Sequence, residues 1–431
     1  MQDMKKHRSD PEPTFASRLG PGLITGAADD DPSGIATYSQ AGAQFGFGLV
    51  WTLFLTTPLM IGIQMLSARI GFVTGEGLAA NIDKTCPRWL ALSLVGLLVV
   101  ANTINIAADV AAMADATALL AGGPEALYVV AFGALCIGMQ VFFSYENSVR
   151  ILKWLTLTLF AYVAVILVVQ VPWKRAVAES LQPWAFLPKN ASAKDFAAMV
   201  VAVLGTTISP YLFFWQASQE VEDGRRRPKS KEVRGHPANM NQHLSRIKQD
   251  TYVGMIFSNL IALCIVVATA VTLNANGIGN IQTSAQAAEA LRPIAGDFAF
   301  AIFALGIVGT GLLAVPVLAG SAAYAVSELF GWKEGLSSGF HEARGFYLII
   351  IAATGIGSAM SFFDVDPIKA LVASAIVNGV ISVPIMVVLM LIGQSSRLMG
   401  GFTISGRHRF FGWSATGVMA AAVAVMFATS F

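Results

Sequence analysis

The sequence predicts an all-α, polytopic membrane protein of about eleven transmembrane helices, with the first and sixth broken near the bilayer midplane. Three observations carry this. Hydrophobic residues make up 55% of the 431 and charged residues 13%, with a mean hydropathy of +0.63; soluble domains carry about 25% charge. Stretches apolar enough to cross ~30 Å of hydrocarbon recur eleven times. Two of them, five helices apart, hold a proline among small polar residues at matching depth.

The expected spans are 19–44, 48–70, 89–120, 126–143, 149–172, 195–221, 250–273, 297–328, 344–362, 367–394 and 410–430. Residues 1–17 read as a cytoplasmic N-terminal tail, 18–395 as an inverted-repeat core, and 396–431 as a loop with one additional transmembrane helix. The opening MQDMKKHRSDPEPTF has no short apolar stretch followed by a cleavage site, so the first helix is expected to direct insertion. With the N-terminus inside, the inner segments hold 22 of the 28 basic residues, which places the C-terminus outside. Eight of these lie between spans six and seven, a cytoplasmic basic loop in which His236 and His243 read as solvated. Between spans five and six, Trp173 and Trp184 suit interfacial aromatics. Cys86, Cys136 and Cys264 sit in or beside apolar segments at unrelated spacings and read as packing.

The first span contains Asp29, Asp30, Asp31, Pro32, Ser33 and Gly34. A carboxylate at mid-membrane costs roughly 2.5–3.5 kcal/mol on insertion scales. The proline and glycine beside it interrupt the helical ladder and free carbonyls at the same depth. The sixth span carries Thr206, Thr207, Ser209 and Pro210, and residue 209 is pushed out of helical geometry by the proline after it. Paired breaks at corresponding positions are the mark of two five-helix repeats of opposite topology, with substrate held between the discontinuous helices. Ordinary proline kinks are the plainer alternative.

The donors at these breaks are all oxygens: the Asp31 carboxylate, the Ser209 hydroxyl and carbonyls around Gly34 and Thr206. With no Cys or Met at either break, hard cations such as Mg²⁺, Ca²⁺ or Mn²⁺ fit best. Mg²⁺ dehydrates reluctantly, and a site of small residues with one certain carboxylate suits a partly hydrated ion. Successive residues step by about 100° around a helix, so the three acids cannot all face one ion. Asp31 is the expected ligand, Asp30 a secondary candidate, and Asp29 is assigned to the vestibule.

These breaks resemble those of the Nramp family of divalent-metal transporters, and the similarity covers most of residues 18–395. The segment GPGLITGAADDDPSGIATYSQAGAQFGFGLVWTLFLTTPLMIGIQMLSARIGFVTGEGLA is similar to the family's opening helices almost throughout. Where the family motif reads Asp-Pro-Gly-Asn, this chain has Asp31-Pro32-Ser33-Gly34, keeping the acid and losing the amide. Where the family has Ala-x-x-Met-Pro-His, it has Thr206-Thr207-Ile208-Ser209-Pro210-Tyr211, so Ser209 replaces the thioether and Tyr211 the histidine. A second family histidine falls at Gln216. These departures resemble the Nramp-related magnesium transporter branch. The resemblance implies a LeuT-like inverted repeat with one extra helix, alternating access, and a wide site accepting Mg²⁺ with much of its water.

Two family glutamates on the third helix fall at Asn102 and Ala112, while the central acid is retained at Asp109. A proton relay is therefore short of groups, and uncoupled transport is the expectation. A 2+ ion moving inward gains roughly 4.6 kcal/mol per 100 mV, enough to concentrate it without protons. Asp109 is the remaining candidate proton carrier, and Asn105, one turn before it, shares its face or makes an interhelical hydrogen bond. Asn378 is a weaker polar candidate. Glu220, Glu222 and Asp223 either draw cations toward the cytoplasm or face the neighbouring arginines, while Asp364 and Asp366 read as a solvated turn.

The function expected is therefore Mg²⁺ uptake, with Mn²⁺ also accepted, by alternating access across the plasma membrane without proton coupling. The alternative in the same fold is a proton-coupled Mn²⁺/Fe²⁺ symporter. Three acids at the first break would repel an amino-acid carboxylate, which argues against an organic-substrate carrier. A membrane enzyme would need a second charged cluster in the same cavity, and none is evident, so no enzymatic activity and no cofactor are expected. The partners expected are divalent metal ions and the lipid bilayer, with no nucleic acid and a monomer as the functional unit.

Overall fold

The computed structural model describes residues 21–142, 155–182, 192–226, 237–363 and 366–430. Among these the chain is helical throughout, with no strand. The first span is two helices, α1 (Pro21–Asp29) and α2 (Pro32–Phe45). There follow α3 (Val50–Thr74), α4 (Leu78–Thr85), α5 (Arg88–Ala121), α6 (Glu125–Phe142), α7 (Phe160–Val168) and α8 (Trp173–Leu181). The sixth span is again two helices, α9 (Ala193–Thr207) and α10 (Pro210–Arg226). The rest comprises α11 (Pro237–Thr272), α12 (Ala299–Phe330), α13 (Arg344–Met360), α14 (Pro367–Gln394) and α15 (Gly406–Ser430), with short helical turns between.

Eight helical segments among the described residues are long and apolar enough to cross a bilayer. Three of the eleven expected stretches fall short of that test for separate reasons. The first is split at Asp31, the ninth is a helix of 17 residues, and the fifth is described only from Leu155 onward. Past α7 the chain turns by 111° into α8. Trp173, at the start of α8, is 58% exposed, as an interfacial aromatic should be. Trp184, His236 and Asp364 lie outside the described residues, as does the tail 1–17.

Both breaks arise where the sequence places them. Asp31 has extended backbone (φ −70°, ψ 171°) and caps α2, with Pro32 in the first turn where its missing N–H is not needed. At the second break Ile208 leaves helical geometry (φ −116°, ψ 64°), and Pro210 opens α10. The half-helices pair across the two spans, α1 against α10 and α2 against α9, which sets the breaks side by side in antiparallel helices. Around them α5 packs against α12 and α14, α11 supports both halves of the first span, and α3 lies along α10.

Close backbone approach fixes this packing. A Cβ on Gly26 would collide with the carbonyl of Gly254, and one on Gly205 would strike Ala375 and Gly379 of α14. Membrane helices lack a hydrophobic force between them and associate through such small-residue contacts.

Two sequence expectations around α11 change. Helix α11 begins at Pro237, well before residue 250, and His243 is half-buried and stacks on Phe72 at 5.2 Å, so it is not simply solvated. Asp366 caps α14 by accepting from Ile368 N and Lys369 N. The three cysteines are unpaired, as expected from their spacing.

Candidate functional site

The site is built on Asp31. Its Oδ1 accepts the Gly34 N–H at 2.6 Å, the capping bond that starts α2. Its Oδ2 accepts from Asn105 Nδ2 at 3.0 Å. Asn105, on α5, also reaches Asp109 Oδ2 at 3.4 Å, and its own Oδ1 accepts from Ser374 Oγ of α14 at 2.6 Å. One amide thus ties both acids to a third helix. Asp31 is 1% exposed and Asp109 fully buried, and Asp109 Oδ1 has no hydrogen-bond partner.

The second break faces the first. A Cβ on Gly34 would lie 3.3 Å from both Asp31 Oδ1 and Thr206 Oγ1, and 3.1 Å from the carbonyl of Asp29. Gly34, Asp31 and Thr206 therefore surround one small volume, which a larger residue at 34 would fill. Tyr211, at the start of α10, donates its hydroxyl to the carbonyl of Ala28 at 3.1 Å and comes within 3.5 Å of Asp31 Oδ2. Ser209 turns its hydroxyl back onto the carbonyls of Gly205 (2.7 Å) and Thr206 (2.8 Å). Thr207 joins Tyr38 on α2 at 3.1 Å.

Asp29 and Asp30 point elsewhere. Ser258 of α11 lies 2.6 Å from Asp29 Oδ2 and 3.3 Å from Asp30 Oδ1, so a single hydroxyl serves two buried carboxylates. Asn102 bonds Leu318 O (2.9 Å) and Ser321 Oγ (2.7 Å), fastening α5 to α12. Gln216 accepts from Gln64 and donates to Thr251 Oγ1 at 3.0 Å, linking α3, α10 and α11. Neither amide bonds to Asp31. Asn378 is buried and its Oδ1 is unpartnered.

Among the described residues no three His, Cys, Asp or Glu side chains meet in a metal-binding group. What the breaks offer is one carboxylate, hydroxyls and carbonyls, a hard and sparse donor set. Three contributors were hidden from sequence reasoning: Ser258, Ser374, and Asp250, which accepts the Gly22 N–H at 2.7 Å and caps α1. All sit on helices distant in the chain, with no local motif to mark them.

Around the C-terminal end of α10 the acids resolve into pairs and networks. Arg246 bridges Glu220 (2.8 Å) and Asp223 (3.1 Å). Glu222 accepts from the Tyr324 hydroxyl and from Leu336 N. Glu334, in the loop after α12, is pushed up to about 8 by burial and by the charge of Glu328, against the opposing pull of Arg225 3.8 Å away.

Two antiparallel broken spans meeting at a buried carboxylate are the architecture of the discontinuous-helix membrane transporters. The family model described as Natural resistance-associated macrophage protein-like matches residues 22–429. The chain belongs to the Nramp family; it is a multi-pass membrane transporter and not an enzyme. It is 29% identical over 301 residues to the divalent metal cation transporter MntH of Yersinia enterocolitica, covering 69% of each chain. The MntH of Aeromonas hydrophila is 25% identical over 303 residues, covering 68% of this chain and 69% of the relative. In fold it is similar to the manganese transporter of Eremococcus coleocola, with a TM-score of 0.73, 16% identity, and coverage of 97% and 88%. It is also similar to Mhp1 in its inward-facing conformation, with a TM-score of 0.53, 12% identity, and coverage of 96% and 91%.

Proposed function

We propose that this Nramp transporter carries divalent metal, and specifically Mg²⁺ with part of its water shell, by alternating access and without stoichiometric proton coupling. The observation that carries the reading is the donor set at the two breaks: Asp31, Thr206, Ser209 and the carbonyls beside Gly34, with no sulfur or imidazole among them. Such oxygens favour Mg²⁺ or Mn²⁺ over metals that want thioether or imidazole. Asn105 and Tyr211 hold Asp31 in place, and Asp30, turned toward Ser258, is the secondary candidate ligand. The MntH relatives, described as divalent metal cation transporters, support the cargo class.

In this reading 18–395 is the moving core and 396–431 an accessory helix. The N-terminus is cytoplasmic, the C-terminus lies outside, and one chain in the plasma membrane suffices. Uptake runs on membrane potential, roughly 4.6 kcal/mol per 100 mV for a 2+ ion.

A second reading, a proton-coupled Mn²⁺ symporter, is favoured by the unpartnered, fully buried Oδ1 of Asp109. Mg²⁺ influx into proteoliposomes under an imposed potential, with a pH dye inside, separates the two. Mg²⁺ entry without acidification supports the uncoupled reading. Entry with acidification makes Asp109 the proton carrier, and Mn²⁺ uptake without Mg²⁺ uptake replaces this proposal with the symporter.

A further inference from the structure

At the inner ends of α3, α11 and α15 lies a cavity of about 250 Å³ whose lining includes Arg69, Lys248 and His408. Its other polar lining residues are Asn241 and Ser245, and among the described residues no carboxylate lines it. Each basic group retains donor capacity. Arg69 spends two of its five N–H groups on the carbonyls of Phe402 (3.0 Å) and Thr403 (3.2 Å), which aims a held guanidinium at the cavity. His408 uses Nδ1 toward Ser405 Oγ at 2.8 Å, leaving Nε2. Lys248 lies 5.8 Å from the Tyr252 ring centroid, and among the described residues no carboxylate pairs with it. Arg246, two residues earlier, is by contrast paired through Nη2 with Glu220 and Asp223.

Depth decides what fills the cavity. Immediately after His408 come Phe410 (68% exposed), Phe411 and Trp413, and after Lys248 comes the exposed Tyr252. Exposed aromatics of this kind mark the boundary between headgroups and hydrocarbon. The other walls, Met65, Leu66, Leu244, Ile247 and Ile404, are apolar. A pocket with cationic donors at headgroup level and an apolar floor matches the amphiphile beside it, and basic pockets between helices on the cytoplasmic side recognise anionic headgroups.

We propose that this cavity binds the phosphate of an anionic phospholipid from the inner leaflet. Arg69 and Lys248 supply charge, and His408 donates a hydrogen bond.

The test is native mass spectrometry of the full chain titrated with phosphatidylglycerol, phosphatidylcholine and inorganic phosphate. Arg69→Gln would release two backbone carbonyls, so the informative variants are Lys248→Gln and His408→Gln, with Lys333→Gln as a control at an exposed inner-loop lysine. Phosphatidylglycerol should be retained over phosphatidylcholine, and Lys248→Gln should weaken retention roughly fivefold, the worth of one cation near the surface. His408→Gln should give a smaller loss and Lys333→Gln none. Equal retention in all variants overturns the site. Displacement of phosphatidylglycerol by inorganic phosphate at equal concentration overturns the lipid as its occupant.

Discussion

At the first break a side-chain carboxylate caps the helix that follows; at the second a side-chain hydroxyl caps the helix that precedes. Asp31 accepts the Gly34 N–H and so satisfies the start of α2, whereas Ser209 donates to Gly205 and Thr206 and so satisfies the end of α9. The two ends of a broken helix need opposite partners, acceptors for free N–H groups and donors for free carbonyls. The charge therefore resides on the first break alone, and the second contributes neutral oxygens. In the proposed site one residue supplies the charge for a cation and several supply its shape.

Asp31→Ala breaks this comparison most severely. Mg²⁺ uptake by proteoliposomes should fall to background, and the lost cap should cost about 1 kcal/mol in thermal unfolding; uptake at the native rate would dissolve the site assignment. Asn105→Ala removes the amide that orients Asp31 toward the second break and should cut ion affinity roughly 10–100-fold, as loss of outer-shell support does at other metal sites. Ser209→Met puts a thioether on the neutral side and should raise the Mn²⁺-to-Mg²⁺ ratio of initial uptake rates severalfold. Gly34→Ala narrows the gap between the breaks by a methyl group and should raise KM about two- to threefold, with little change in expression.

The smallest effect lies away from both breaks. Glu334 sits near 8 in the folded chain, above its ordinary 4.5, because of burial and neighbouring acids. The folded state thus holds a proton that the unfolded state releases, and stability should decline as pH rises from about 5 to 8. Glu334→Gln should flatten that slope in thermal unfolding; an unchanged slope would place the proton elsewhere.

Much of the site was readable because its parts are local. Asp31, Pro32 and Gly34 form one cap, Ser209 and Pro210 one stop, and Asn105 with Asp109 one turn of helix, so spacing alone put each on its element. The partners that complete it were not readable. Ser258, Ser374 and Asp250 come from α11 and α14, where a lone serine or aspartate in an apolar helix has no periodic signature. Gln216 and Asn102 illustrate the converse: they occupy positions where the family has ionisable groups, yet here they fasten neighbouring helices without bonding to Asp31. Of the two broken spans, the first is too divided to pass as one crossing segment, whereas the sixth still runs as one, Ala193–Arg225, among the described residues.

The contact of α1 with α11 has a mechanical consequence. Gly22 and Gly26 bring α1 against the bare backbone of residues 250, 251 and 254, with a capping bond from Asp250 holding its N-terminal end. Two surfaces without protruding side chains meet as a smooth seam. Parting them breaks the Asp250 cap and the Ser258 bonds to Asp29 and Asp30, together with shallow dispersion contacts along the glycines. Such a seam can open and reseal many times in the same register, which is what a door on one side of a transport cycle requires.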